Sequence, residues 1–529
     1  MKVTHYLSLA VTKSWYLWVL VGLITAVIYT PLLLNGGIIT DDWGDIRQTW
    51  DCSGFFSCYK EWFPLFSNRP LAPLPITLST KIFSTNYSWY LLTNTAIYLA
   101  ALGLSAQVFA PFLRPFSGTV FFLLAAAPCI AMPLIVSPIN QLTATVSFLY
   151  WAISLRLLLR HDLNRQWLFY GLAYLFLLCA FLTYEIILPL LFFTAFLPAI
   201  SNPQKLTKAL LGYFLKYIFP ILIVLTLVMV WQKILAPQFF EDVSRLRFNP
   251  AHILRNLYTW VSVFALQLPN LFLKSFAYFS FPAMLIFLLI GILFWRGSTA
   301  DKKFNSRSQE KWFLGLSLIS WLSSSLIFVL ADESAVSWGY QARGLSSTWF
   351  CFAIVVACFV QTANSFVKFK RILCLVLIYL VTSFSVFSFS IQRDKYIESW
   401  DLQLLILQDA LTLIQKQAIG PNASILANVP RYTPNNYNRE LVYSQSWDFP
   451  AALVLYAQDQ VRGGIVVDSR GKDLQNLRIE QDIATVNDQG KVDFSNLWLY
   501  DFEPTTKQGS LKRLSNSDEL QALISQWKK

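Results

Sequence analysis

Apolar runs of about twenty residues recur along the chain, and a segment of that length and character must cross roughly 30 Å of hydrocarbon. Trp15 to Leu34, Tyr87 to Phe109, Phe116 to Val136 and Ile139 to Leu159 are the first four. Trp167 to Ile200 is too long for one crossing and is interrupted by Tyr184-Glu185, so it divides into two short spans that meet at the acidic residue. Leu211 to Ile234, Phe276 to Trp295, Trp312 to Ala331, Ser346 to Thr362 and Ile372 to Ile391 complete the set. The pattern predicts an α-helical polytopic membrane protein of about eleven spans. Composition agrees, with 55% hydrophobic and only 14% charged residues, too apolar for a water-solvated surface. Many of the 19 Trp and 23 Tyr flank the runs, where amphipathic rings favour the headgroup level.

Lys and Arg should collect in the cytoplasmic loops. On one set of alternate loops stand Lys2, Lys13, Arg114, Arg156, Arg160, Arg165, Lys205, Lys208, Arg296, Lys302, Lys303, Arg307, Lys311, Lys368, Lys370 and Arg371. The opposite set carries Asp41, Asp42, Glu185, Glu241, Asp242, Asp332 and Glu333. An odd number of spans then places the N-terminus in the cytoplasm and the C-terminus outside, and the setting expected is a bacterial inner membrane. Lys2 and Lys13 precede an apolar run with no small-residue cleavage pattern, which predicts a retained signal-anchor. The net charge of +12 is distributed as topology signals rather than as a basic patch, which argues against a nucleic-acid partner.

Residues 1–391 therefore read as the membrane domain, with long outer loops at 35–86 and 236–275. In the second loop Ile253, Leu254, Leu257, Trp260, Val261 and Phe264 recur at helical spacing, as an amphipathic helix on the membrane, over a cavity or against the bundle. From Gln392 to Lys529 the chain turns polar and charge-balanced, the mark of an extracytoplasmic domain. Ser399 to Ala418 has helical period; Ser424 to Val429 and Gly464 to Val467 read as buried strands; Leu497 to Tyr500 reads as a hairpin arm after the turn signal Asn487 to Gly490. With a closing helix from Asp518 to Trp527 this predicts a small α/β unit. It has no phosphate-binding Gly loop, and the chain has no internal repeat.

Cys129, Cys179, Cys351, Cys358 and Cys374 are scattered in apolar runs as small hydrophobes. Cys52 and Cys58 fall in the first outer loop, six residues apart, and close a disulfide only if that loop faces an oxidising compartment; spacing leaves both states open. The most informative segment is Ile39-Thr40-Asp41-Asp42-Trp43-Gly44-Asp45, directly after the first span. Adjacent carboxylates at a lipid–water boundary repel each other beside low dielectric, which suits one of them to take a proton; a solvated acidic loop obeying the topology rule is the plainer alternative. Asn68-Arg69-Pro70-Leu71 follows, with a guanidinium able to hold a phosphate or to anchor the loop to headgroups. Glu185 is a carboxylate between apolar runs, either functional or structurally paired. His252 is a lone imidazole on that side and reads as a surface residue.

Asp-Asp-Trp after the first helix, Arg-Pro-Leu before the second and an outward C-terminal domain resemble the GT-C type glycosyltransferases. The resemblance lies with bacterial families that move a sugar from a polyprenyl-phosphate carrier, including glucosyltransferases that decorate O-antigen. Tyr184-Glu185 and Tyr340 to Arg343 look like positions where such families keep polar residues facing the cavity, whereas Asn68 stands where some relatives carry Gly. The resemblance implies that Asp41 or Asp42 deprotonates an acceptor hydroxyl on a glycan, lipid or protein, with inversion at the anomeric carbon. It implies that Arg69 and Arg343, with Lys81 as a further candidate, stabilise the departing phosphate, and that Glu185 and Tyr340 line the substrate site. The plainer readings are an interfacial anchor for Arg343 and a snorkelling side chain for Lys81. Some relatives use a divalent metal, Mg or Mn, and the sequence leaves this open. Two other classes of function fit a many-span chain: a transporter or flippase of lipid-linked sugars, which would spread polar residues through the spans, and a non-catalytic scaffold, which leaves the Asp-Asp and Arg-Pro pattern unexplained.

Overall fold

A computed structural model of the protein describes residues 2–160, 166–201, 210–239, 249–300, 308–363, 367–433, 440–443, 445, 447–457, 460–468, 477–480, 483–486 and 491–527. Of the topology signals, Arg165, Lys205, Lys208, Glu241, Asp242, Lys302, Lys303 and Arg307 lie outside the described residues, as does the turn Asn487 to Gly490.

The molecule is mainly helical. Among the described residues seven helices are long and apolar enough to cross a membrane: Trp15–Asn35, Tyr87–Phe109, Leu211–Gln238, Phe281–Ser298, Gln309–Ala331, Tyr340–Ala363 and Phe369–Lys416. The other expected spans form shorter apolar helices, Pro115–Ala126, Leu142–Leu158, Trp167–Thr183 and Glu185–Ile200. In chain order the first helices are α1 (Lys2–Asn35), α2 (Asp41–Asp51), α3 (Phe55–Trp62), α4 (Pro73–Phe83), α5 (Tyr87–Phe109), α6 (Pro115–Ala126), α7 (Pro133–Val136), α8 (Leu142–Leu158), α9 (Gln166–Thr183) and α10 (Leu191–Ser201).

The run Phe116 to Val136 is not one helix, as its hydropathy suggested, but α6 and α7 separated by residues 127–132. Pro128 and Pro133 withhold the amide hydrogens a continuous helix needs. A break at this depth is tolerated only where the freed carbonyls find donors inside the protein, and they do. Tyr98 Oη donates to the Ala125 carbonyl (2.8 Å), Tyr29 Oη to Ala126 (2.7 Å), Trp349 Nε1 to Leu124 (2.7 Å), Gln392 Nε2 to Cys129 (2.6 Å) and Asn94 Nδ2 to Leu134 (2.8 Å). The broken helix is thus the hub on which α1, α5 and the later helices are pinned.

The split at Tyr184-Glu185 is present: α9 ends at Thr183, Tyr184 is extended, and a short 3₁₀ turn, Glu185–Leu190, leads into α10. The second outer loop holds Ile253–Ser262, a π-turn at Val263–Gln267, and Leu268–Phe276. Its buried Trp260 packs on Trp321 and Phe264, while Leu254 and Tyr258 stay exposed. That helix therefore packs on the bundle with one face and leaves the other open. His252 is no isolated surface residue, since its Nδ1 lies 3.0 Å from Asp332 Oδ1.

The final membrane helix and the first tail helix, expected separately, are a single 49-residue helix, Lys368–Lys416. At about 1.5 Å per residue it is roughly two and a half times the hydrocarbon thickness, so residues 391 and 392 are neighbours within one continuous helix. The tail it enters is α/β. Strands β1 (Ala423–Asn428), β2 (Val461–Val467), β6 (Leu497–Glu503) and β7 (Gln508–Leu514) form one sheet in the order β2-β1-β6-β7, and β3 (Leu477–Glu480), β4 (Ile483–Val486) and β5 (Lys491–Asp493) form another. Strand β1 is parallel to β2 and β6. Strand β4 pairs antiparallel with β5, and the expected hairpin arm, Leu497–Glu503, pairs parallel with β1 and antiparallel with β7. One face of the larger sheet is covered by the long helix and the tail helix Asp448–Ala457, the other by the closing helix Ser517–Trp527. The first of these cores does not stop at the tail: Trp43 and Ile46 of α2, Trp62 of α3 and Ile76 of α4 belong to it together with Trp400, Tyr443 and Phe449.

Candidate functional site

Helix α2 begins where the first span ends, and its start is strained. Thr40 has φ 47° and ψ −121°, a region a β-branched residue rarely enters, and its side chain is fully buried. Such a conformation costs about 1–3 kcal/mol and persists only where its surroundings over-determine it. The turn places Asp41 and Asp42 in the first turn of α2, where the helix dipole favours negative charge.

The two carboxylates meet different surroundings. Asp42 is fully buried, and its Oδ1 accepts from the Asn140 backbone N–H (2.8 Å) and the Ser137 hydroxyl (3.0 Å). Ser137 to Asn140 form a turn around Pro138 ahead of α8, which leaves the Asn140 amide to donate to Asp42 and not into a helix. Burial pushes the Asp42 carboxyl up to about 8, against the hydrogen bonds from Asn140 and Ser137 and with added repulsion from Asp41. Asp45, one turn on and 6% exposed, is raised well above the usual carboxylate range by burial and then by Asp42 and Asp41. Asp41 instead is partly exposed and its Oδ2 lies 3.7 Å from Arg343 Nη1.

Arg343 sits on the 3₁₀ turn Tyr340–Leu345, entered through Gly339 at φ 66°, a left-handed conformation that suits glycine. Its guanidinium lies over the Tyr340 ring at 3.9 Å, and Tyr340 Oη donates to Asn140 Oδ1 at 2.8 Å. Asn140 thus joins the Tyr340–Arg343 turn to Asp42. Among the described residues Arg343 Nη1 has no hydrogen-bond partner although it is buried.

Arg69 and Glu185 form a two-pronged ion pair, Nε to Oε2 and Nη2 to Oε1, both 2.5 Å, and the Arg69 guanidinium lies 3.9 Å over the Tyr184 ring. Burial works against the Arg69 charge, but Glu185 and Tyr184 outweigh it and hold its pKa above the usual value, while Arg343 is near enough to oppose. Asp41, Asp42, Glu185, Tyr340, Arg343 and Arg69 are thereby gathered at one end of the bundle. Lys81 is not in this group. It lies in the last turn of α4 and donates to the Cys52 carbonyl at 2.6 Å, beside the Cys52–Cys58 disulfide that ties the end of α2 to α3.

A cleft of about 520 Å³ opens beside α2, lined by Asp41, Gly44, Asp45, Arg47 and Gln48, by Trp62, Leu65 and Phe66, by Asn140, and by Trp447 and Ala451 of the tail. Asp42 does not line it. The tail is fixed against α2: Trp43 Nε1 donates to Gln403 Oε1 (3.0 Å), Trp43 stacks on Trp400 (5.9 Å between centroids), and Arg47 donates to the Arg462 carbonyl (3.1 Å). Sequence reasoning passed over Ser137, Asn140 and Trp447. The polar Ser-Pro-Ile-Asn interruption between two apolar runs was a readable signal for the first two; nothing local marks Trp447.

Mg or Mn would ask for several converging oxygens. Asp42 Oδ1 is engaged by two donors and Oδ2 is sealed from solvent, while Asp41 faces Arg343. Among the described residues no three acidic, His or Cys side chains converge as a ligand set. The residues present do not fit a divalent ion, and none of the chemistry below depends on one.

No family model and no curated protein matches the chain. Among solved structures it is similar to ArnT from Cupriavidus metallidurans in the apo state, at 13% identity over 94% of both chains with a TM-score of 0.37. It is similar also to ArnT from Cupriavidus metallidurans bound to undecaprenyl phosphate, at 13% identity over 93% of both chains with a TM-score of 0.35.

Proposed function

We propose that the protein is a membrane glycosyltransferase that moves a sugar from a polyprenyl-phosphate donor to a glycan, lipid or protein acceptor at the outer face of a bacterial inner membrane. The observation that carries this reading is the pairing of a cleft-lining carboxylate, Asp41, with the Arg343 guanidinium, whose Nη1 lies 3.7 Å from Asp41 Oδ2. A base and an anion ligand side by side are what displacement of a phosphate by a hydroxyl requires.

In this reading Asp41 takes the proton from the acceptor hydroxyl as its oxygen bonds to the anomeric carbon. The bond from that carbon to the phosphate oxygen breaks, the electron pair leaves with the lipid phosphate, and the configuration inverts. Arg343 meets the growing phosphate charge. Arg69, paired with Glu185 and lying over Tyr184, fixes the loop beside Arg343 and has its charge balanced by Glu185. Asp42 is a positioning residue: it holds Ser137 and Asn140, and Asn140 in turn holds Tyr340 under Arg343.

The test is transfer by purified, reconstituted protein supplied with polyprenyl-phosphate sugars. Asp41→Asn is expected to lower the rate by about 10²–10⁴-fold, the usual contribution of a general base, whereas Asp42→Asn stays within a few-fold of wild type. Undiminished transfer by the Asp41 variant would remove the proposed base and the reading with it.

A further inference from the structure

The base accounts for one corner of the cleft and leaves its walls unexplained. Residues 41, 44, 45 and 48 are spaced at i, i+3, i+4 and i+7 on α2, so one face of that helix presents two carboxylates and an amide to the cleft. Trp43 and Ile46 point the other way, into the core shared with the tail. Asp45 is the telling member. It lines the cleft and is 6% exposed; its Oδ2, closed to solvent, has no hydrogen-bond partner among the described residues and would meet a ligand on rotation of the carboxyl toward the cleft. A buried acceptor left empty is costly unless a ligand fills it.

Aromatic rings make the opposite walls. Trp62 is stacked on Phe66, with centroids 5.3 Å apart and planes at 23°. Trp447 comes from the tail, is 36% exposed, and meets α2 at Gly44, where an added Cβ would lie 3.6 Å from its Cδ1. Flat apolar faces beside a row of hydrogen-bond acceptors match a pyranose ring, which has a C–H face and a hydroxyl edge. The lining offers an acidic ligand little to hold: its one cation, Arg47, donates to the Arg462 carbonyl, and the Asp41 carboxylate faces the same space. The polar floor is equally unsuited to an acyl chain.

We propose that this cleft binds the acceptor as a neutral saccharide, with Asp45 and Gln48 accepting from and donating to its hydroxyls and Trp447 of the tail as a stacking wall. The tail then selects the acceptor, which gives a task to a domain the transfer chemistry does not use. This inference rests on the glycosyltransferase reading for the word acceptor, but its test does not need turnover.

Full-length protein in lipid nanodiscs is titrated with maltotriose as a neutral probe and with trigalacturonate as an anionic one, binding being read by saturation-transfer NMR. Wild type is expected to bind maltotriose and not trigalacturonate. Trp447→Ala weakens maltotriose by about tenfold, Trp447→Phe restores most of the affinity, and Asp45→Ala weakens it with an unchanged melting temperature. No maltotriose binding by wild type, equal binding by Trp447→Ala, or preference for trigalacturonate each overturns the inference. Saccharide binding without any transfer from a polyprenyl-phosphate donor would overturn the functional reading and leave the saccharide site standing.

Discussion

Asp42 is a carboxyl whose proton is held by the fold. Its folded pKa, about 8, lies above the ordinary 3.8, so between those values the native protein keeps a proton that the unfolded chain gives up. The stability linked to that proton is complete below about pH 4 and is lost as pH rises toward 8. Asp42→Asn removes the titration, keeps the acceptor oxygen for Ser137 and Asn140, and relieves the repulsion on Asp45. Its melting temperature in detergent should therefore gain on wild type steadily from pH 4 to pH 8.5. Asp42→Ala should lose about 1–3 kcal/mol at every pH, because two buried donors go unmet. Parallel pH curves for wild type and Asp42→Asn would show that Asp42 does not titrate in that window. The site residues that sequence alone brought forward, Asp41, Asp42, Arg69, Glu185, Tyr340 and Arg343, are charged or amphipathic groups beside apolar runs, where polarity is conspicuous. Which aspartate faces the cleft was not legible. The distinction rests on Asn140 and Ser137, nearly a hundred residues away in sequence.

Between α1 and α2 the chain turns through Gly36 and Gly37, and the second glycine marks how closely the elements approach. A Cβ on Gly37 would lie 1.9 Å from Cδ2 of Trp400, a residue on the long helix that also stacks on Trp43 and meets Tyr87 edge-on at 4.9 Å. Gly37→Ala must displace that indole. The expected loss is about 1–3 kcal/mol, the cost of overpacking a closed site, read as a lower melting temperature and faster proteolysis of the tail. An unchanged melt would mean that the turn and the long helix do not touch. Hydropathy located these elements well because a twenty-residue apolar run has few alternatives, yet it could not report continuity. The break in Phe116 to Val136 was signalled by Pro128 and Pro133, but whether donors such as Tyr98 and Trp349 would rescue the freed carbonyls depends on neighbours in space. The long helix was the converse case, since its change from apolar to polar at residue 391 records a change of surroundings and not an end.

At the scale of the molecule, the two ends of the bundle differ in chemistry. One end carries Asp41, the Arg69–Glu185 pair, Arg343 and the docked tail, together with the Cys52–Cys58 disulfide. At the other, Arg114 pairs with Glu310, its backbone N–H donates to Gln361, and Arg371 donates to the Ser298 carbonyl. Two independent arguments orient them alike: basic loops stay in the cytoplasm, and disulfides persist in oxidising compartments. The first end should therefore face outward. Single cysteines test this in a chain whose Cys129, Cys179, Cys351, Cys358 and Cys374 are replaced and whose disulfide is kept. Exposed Lys507 of the tail and exposed Lys370 at the other end are the sites. Lys507→Cys should react with a membrane-impermeant maleimide in intact cells, and Lys370→Cys only after permeabilisation. The reverse pattern would invert the molecule, and then Cys52 and Cys58, facing a reducing compartment, should be recovered as free thiols on denaturation. Labelling and thiol state must change together, because the same helices that fix the tail over α2 fix the disulfide to that end.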